Sequence, residues 1–180
     1  HLGLKPVFVD VDDRTYSMDP EKIENAITEK TKGIIIVHLC GCPADMDRIL
    51  PIAKKYNLKI VEDACESMFA KYKGKYVGTM GDIGCFSTYT AHIITTGVGG
   101  IMVTNDDKYA NLMHSLMNHG RDPIYLHIDD DKDENKDLTE IVDKRYKFDR
   151  VGHSSRLTEM EGAVGLAQLE IKDEILKKRE

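Results

Sequence analysis

Two hydrophobic periods take turns along the chain. "KPVFVDVD" is rich in β-forming residues and predicts a short strand. Asp19-Pro20 then supplies a helix N-cap and a first-turn proline, opening a helix with Ile23, Ala26 and Ile27 on one side. "KGIIIVHL" is nearly all apolar, the pattern of a strand buried on both faces. "ADMDRILPIAKKYN" has helical spacing and predicts a helix kinked or restarted at Pro51. "LKIVEDA", "DIGCFST" and "GIMVTND" predict three further strands, the last two separated by "STYTAHIITTGVGG". A helix from about Asp107 to His119 places Leu112, Met113, Leu116 and Met117 on one stripe and stops at Gly120. Thr158 and Glu161 have capping-box spacing, ahead of an apolar face of Met160, Ala163, Val164, Ala167 and Ile171. Strand and helix alternating in this way predict an α/β fold, a mostly parallel sheet flanked by helices. The chain starts beside a strand and reaches Glu180 without a helix stop signal, so residues 1–180 read as an interior piece of a longer large domain.

Composition narrows the function classes. With 180 residues, 41% hydrophobic and 31% charged, the chain has ordinary globular make-up and length enough for one core. The net charge is −6 at pH 7, with acids and bases interspersed, which argues against a nucleic-acid surface. The longest apolar run, Gly33 to Val37, is far too short to span a membrane, and "HLGLKPVFVD" has no leader pattern. A cytoplasmic protein with reduced thiols is the expectation. Cys40, Cys42, Cys65 and Cys85 do not have zinc-site spacing, and Cys85 within "IGCFS" reads as a small buried hydrophobe. No metal is expected. From Asp129 the acidic run carries oxygen ligands at calcium-loop spacing, yet Glu134 stands where the loop needs glycine. A solvated charge run accounts for the same letters.

Ligands of open α/β sheets bind at strand ends, and two such ends carry polar groups here. One strand delivers Asp63, with Glu66 just beyond it. Another delivers Ser87, and the following turn presents His92 ahead of Gly97, Gly99 and Gly100. A lone aspartate there can simply cap a turn, and a lone histidine is usually structural. Their joint occurrence with a glycine turn points instead to a phosphate or a cofactor ring. No lysine lies between Lys75 and Lys108.

At these residues a family resemblance becomes plain. "PVFVDVDDRTYSMDPEKIENAIT", "HLCGCPADMDRI", "VEDACES", "GDIGCFSTYTAHIITTGVGGIMVTND" and "LTEMEGAVGLAQLE", in that order, resemble the DegT/DnrJ/EryC1/StrS family. These are vitamin-B6-dependent sugar aminotransferases of the aspartate-aminotransferase fold. The resemblance implies a phosphate-binding segment before this stretch and a small domain after it. It further implies pyridoxal 5'-phosphate or pyridoxamine 5'-phosphate as cofactor, a nucleotide-linked keto-deoxy sugar as substrate, glutamate or a similar amino donor, and a homodimer. At the position of His92 the family normally has the lysine that bonds covalently to the cofactor aldehyde, which imidazole cannot do. One branch, the sugar 3-dehydratases, has histidine there and holds its cofactor without a covalent link.

The same resemblance implies the other roles. Asp63 would face the pyridine nitrogen, Glu66 the ring hydroxyl, and Ser87 the phosphate. Ser154 within "GHSSR" would take the place of an asparagine that reaches the partner subunit's phosphate. His92 would be the base, removing the C3 hydroxyl of a 4-keto-6-deoxy sugar with release of ammonia. A related branch carries an iron–sulfur cluster whose cysteines lie largely in the loop matching Arg121–Arg150, and that loop has no cysteine here. The chain departs from the family at Val98, where a glutamate is usual, at Thr88 and Thr90, and at Ser154. Two readings stand, a sugar 3-dehydratase and a non-catalytic or aminotransferase-like homologue.

Overall fold

The structure is a computed structural model describing residues 2–122 and 146–179. The acidic run from Asp129 lies outside the described residues. The chain divides into two compact units, His1–Thr104 with Met160–Glu180, and Asn105–Glu159.

The first unit is built on a four-stranded sheet. Helix α1 (Pro20–Ala26) begins as the sequence predicts, with Asp19 accepting the Glu21 N–H at 2.9 Å and Pro20 in the first turn. Strand β1 (Gly33–Val37) follows, then helix α2 (Met46–Lys55) and strand β2 (Lys59–Asp63). Next come a hairpin of β3 (Lys71–Tyr72) and β4 (Lys75–Tyr76), strand β5 (Ile83–Ser87) and strand β6 (Gly100–Val103). The sheet order is β1-β2-β5-β6, with β1, β2 and β5 parallel and β6 antiparallel to β5. This is the mostly parallel α/β sheet predicted.

One face of that sheet carries the core. Ile34 and Ile36 of β1 and Ile60 of β2 pack with Ile23 of α1 and with Met46, Ile49 and Ala53 of α2. Burial in β1 alternates, so Ile35 and Val37 are exposed, at 65% and 41%. The expectation of a strand buried on both faces is therefore corrected: both described core helices cover the face of Ile34 and Ile36. Helix α2 runs unbroken through Pro51, also against expectation. Pro51 lies on the exposed side, where water can satisfy the carbonyl that its missing N–H leaves unbonded. Residues 2–10 form no strand. Val9 packs against the core and the Asp10 carbonyl accepts the Asp19 N–H at 3.0 Å, whereas Phe8 is 92% exposed. β-forming residues alone make no strand without a ladder partner.

Helices α4 (Glu159–Glu170) and α5 (Lys172–Lys177) meet at Ile171. The predicted apolar face of α4 is turned outward, Met160 being 75% exposed. The half-buried positions are Glu161, Gly165 and Gln168. Gly165 explains the choice, because a Cβ there would lie 3.2 Å from Thr96 Cγ2, and Thr95 Oγ1 donates to Gln168 at 3.5 Å. Among the described residues no helix is long and apolar enough to cross a membrane.

In the second unit, helix α3 (Asp107–Met117) is capped by Asp106, which accepts the Lys108 N–H at 2.8 Å. It ends two residues earlier than predicted. His119 and Gly120 then turn at φ 62° and 80°, and Ser115, not the Leu112 stripe, is its fully buried position. The returning chain lies against this end, with His119 N–H donating to His153 O and Ser155 N–H to Met117 O.

Gly84 is the tightest point behind the sheet. A Cβ there would lie 1.8 Å from the Gly78 carbonyl oxygen. Gly84→Ala is expected to destabilise the full-length protein by about 3 kcal/mol or more, since backbone must move to admit it. Urea unfolding measures this, and a parental midpoint would contradict the packing described.

Candidate active site

The polar residues at the strand ends occupy the face away from the core helices. Asp63 closes β2 and pairs in register with Val37 and Cys85. Side chains alternate along a strand, so Cys85 and Ser87 share the Asp63 face of the sheet. Asp63 Oδ1 accepts the Cys65 N–H at 3.1 Å, an Asx-type turn that fixes the carboxylate. Burial, and then the Asp63 carboxylate, push the Cys65 thiol up to about 12, so it stays protonated at neutral pH. Ser87 Oγ accepts the Tyr89 N–H at 3.1 Å and keeps its own proton for another acceptor.

Glu66 follows Asp63 on the same turn, and its side chain reaches across to the loop after β1. Glu66 Oε2 accepts the Cys40 N–H at 2.9 Å. Cys40 sits at φ 50°, a left-handed conformation that aims its amide at the carboxylate. A hydrogen bond to Glu66, and then its charge, raise the exposed Cys40 thiol above its ordinary value.

His92 stands on the loop that leaves β5. Its N–H donates to Tyr89 O at 3.0 Å, closing a turn, and the two rings meet edge-on at 6.5 Å between centroids. The loop folds back on itself. Thr88 N–H donates to Gly99 O, Thr96 N–H to Thr88 O, and the two threonine hydroxyls are 2.7 Å apart. Buried Ile94 pins the loop from beneath, and Arg179 Nη2 donates to the His92 carbonyl at 2.9 Å. The His92 ring is half-buried, and among the described residues neither ring nitrogen carries a hydrogen bond. Ser154 belongs to the second unit, where it is exposed and bridges Asn118.

Beneath Asp63 lies a buried pair that the sequence reading passed over. His38 and Glu62 are both fully buried, with Nε2 and Oε2 2.9 Å apart. The Ala44 N–H donates to His38 Nδ1 at 3.1 Å, so Nδ1 is the bare nitrogen and Nε2–H donates to Glu62. Glu62 also accepts the N–H groups of Gly78 at 2.7 Å, of Met80 at 2.6 Å and of Gly81. Burial pushes its carboxyl up, but the His38 bond and the three amide bonds outweigh that, and the net shift is downward. Period-two spacing could have found it. Ile60 faces the core, so Glu62 must as well, and a buried carboxylate needs donors.

The DegT/DnrJ/EryC1/StrS aminotransferase family model matches residues 1–180. The chain belongs to that family. The GDP-perosamine synthase of Caulobacter vibrioides is 43% identical over 180 residues, a stretch covering 100% of this chain and 43% of that protein. The solved aminotransferase from Psychrobacter cryohalolentis superposes with a TM-score of 0.81 at 37% identity, over 94% of this chain and 41% of the other. The E. coli GDP-4-keto-6-deoxy-D-mannose-3-dehydratase, solved with hydrated PLP bound, gives 0.77 at 32% identity, over 92% and 42%. The chain thus spans about two fifths of the length of these family members.

A carboxylate whose folded pKa lies below its ordinary 4.5 stabilises the fold above that pH, and this stability is lost as pH falls through the folded value. Glu62→Gln is therefore expected to cost about 3–5 kcal/mol at neutral pH, where it leaves buried donors facing an amide. The difference from the parent should shrink as pH drops below 4.5. Urea unfolding across that range measures it. A pH-independent difference would contradict an ionised Glu62.

Proposed function

We propose that this chain is the cofactor-binding part of a nucleotide-sugar 3-dehydratase, which removes the C3 hydroxyl of a 4-keto-6-deoxy sugar. The observation that carries this reading is His92, whose ring nitrogens have no hydrogen bond among the described residues and which stands where the sugar aminotransferases have a lysine. The cofactor is pyridoxamine or pyridoxal 5'-phosphate, in keeping with the family and with the PLP-bound relative. The residues fit such a group in kind. Asp63 is a fixed carboxylate suited to a protonated pyridine nitrogen, Ser87 has a hydroxyl proton to give a phosphate, and Glu66 is an anchored acceptor for the ring hydroxyl.

When bound, the cofactor supplies an amine to join the sugar ketone and a ring to take up electrons. The protein's task is then to hold the ring and move protons. Asp63 keeps the ring nitrogen protonated. His92 can take a proton from the cofactor's methylene carbon and give one to the departing C3 oxygen, so that water leaves. The overall products would be the 3-deoxy-4-keto sugar and ammonia, the nitrogen coming from an amino donor such as glutamate. Ser154 is assigned to the cofactor phosphate of a second copy, which makes the working form a homodimer. A second reading, a non-catalytic homologue, draws on Val98 and on the short Ser154 side chain.

His92→Asn in the full-length protein is expected to lower ammonia release and exchange of the cofactor methylene proton by about 100- to 10,000-fold, the usual worth of a general base. His92→Lys should capture pyridoxal phosphate in a form that borohydride fixes at residue 92, whereas the parent shows no cofactor fixed to any lysine of this region. Parental dehydration by His92→Asn would overturn the assignment and favour the second reading. Sedimentation of full-length protein should give a dimer, and an active monomer would contradict the role of Ser154.

A further inference from the structure

The loop after β1 and the turn after β2 are joined by more bonds than strand continuation requires. Backbone pairing ends with the His38 N–H donating to Asp63 O at 3.0 Å. Beyond it, the Ser67 hydroxyl donates to the His38 carbonyl, and the Gly41 N–H donates to Ser67 Oγ at 3.0 Å. The Cys40 N–H then reaches Glu66 at 2.9 Å. Each of these bonds runs from residues 38–41 to residues 63–67, and the Cys40 bond ends on a proposed cofactor-facing carboxylate.

The His38 ring fastens this arrangement from below. Both of its nitrogens are committed, Nε2–H to Glu62 and Nδ1 to the Ala44 N–H. The ring therefore cannot rotate without breaking two buried bonds, and because it is held on both sides the main chain at His38, whose carbonyl accepts from Ser67, is held with it. Glu62 is equally constrained by three main-chain amides besides His38. Because Glu62 and Asp63 are consecutive, locking the first on the core face sets the direction of the second on the opposite face.

We propose that His38, acting with Glu62, is a positioning residue that holds Asp63 and Glu66 at the spacing the cofactor ring requires. The proposal rests on the reading of these two carboxylates as cofactor contacts. His38 touches neither cofactor nor substrate. Its effect is to place the Cys40 amide under Glu66 and the β2 end under Asp63, before any ligand arrives.

The test uses full-length protein titrated with pyridoxal phosphate and with pyridoxamine phosphate, following affinity and the absorbance spectrum of the bound cofactor. His38→Leu, if it stays folded by circular dichroism, should weaken cofactor binding on the order of tenfold or more and shift the bound spectrum. His38→Gln restores a donor to Glu62 and should recover most of both. In the cofactor-free protein, hydrogen exchange of peptide 38–44 should rise in His38→Leu and remain low in His38→Gln. Should His38→Leu fail to fold, Ser67→Ala is the second variant, expected to weaken binding about threefold or more and to raise exchange in the same peptide. Folded His38→Leu with parental affinity and spectrum would overturn the proposal and leave the cofactor reading intact, as would parental behaviour of Ser67→Ala. A parent protein that binds neither cofactor form would remove the cofactor reading itself, and the proposal with it.

Discussion

A buried carboxylate with four N–H donors organises this end of the sheet. Glu62 draws together the His38 ring from β1's end and the amides of Gly78, Met80 and Gly81 ahead of β5. An ionised group in the interior is tolerated only when its lone pairs are filled, so each donor is a demand on the backbone around it. The 78–81 turn bends toward Glu62. The Gly78 carbonyl then lies where a Cβ at Gly84 would be, and the Phe86 ring fills the space a Cβ at Gly78 would take. Removing the side chain would leave three main-chain amides and the His38 ring without their acceptor, a cost far beyond one hydrogen bond.

That arrangement also explains why the polar residues of the opposite face are well placed. β2 carries Glu62 inward and Asp63 outward, and the period of two forbids any slip that would exchange them. Register with β5 puts Cys85 beside Asp63 and Ser87 one step further along the same face. Past the strand end, threonine hydroxyls and buried Ile94 tie the His92 loop down, and Gly97 and Gly99 reverse the chain at φ 89° and 133°. Val98 and Thr88 depart from the family pattern within this loop. Buried Thr88 has a structural use, bonding Thr96 across the fold-back.

Much of this could be read from the letters, and the failures have physical causes. Asp19-Pro20 marked the start of α1 because capping is local chemistry, whereas Ile27, expected on the helix, is already extended. β1, β2, β5 and β6 were legible because apolar runs bounded by polar turns are short-range signals. Burial on one face or two was not, since it depends on which layers cover the sheet, and Ile35 and Val37 look no different from Ile34 and Ile36. The β3–β4 hairpin was passed over because two residues per strand give no alternation to detect, although Lys73-Gly74 at φ 48° and 86° is a favoured hairpin turn. Helix α4 misled because its apolar residues face outward while Gly165 makes the close contact. The site residues followed from family motifs, and the His38–Glu62 pair was missed because neither residue was expected in the core.

The substitution of histidine at position 92 is where sequence, fold and proposed chemistry meet. An imidazole can shuttle protons but cannot form the covalent link a lysine forms, and on the function proposed above that exchange directs the fold from amine transfer to elimination. The direct measurement is the mass of the sugar product formed by full-length protein supplied with pyridoxamine phosphate, glutamate and GDP-4-keto-6-deoxymannose. Loss of the C3 oxygen, with the C4 ketone retained and ammonia released in equal amount, is the predicted result. A product that keeps its C3 oxygen and gains an amine at C4 would contradict the account.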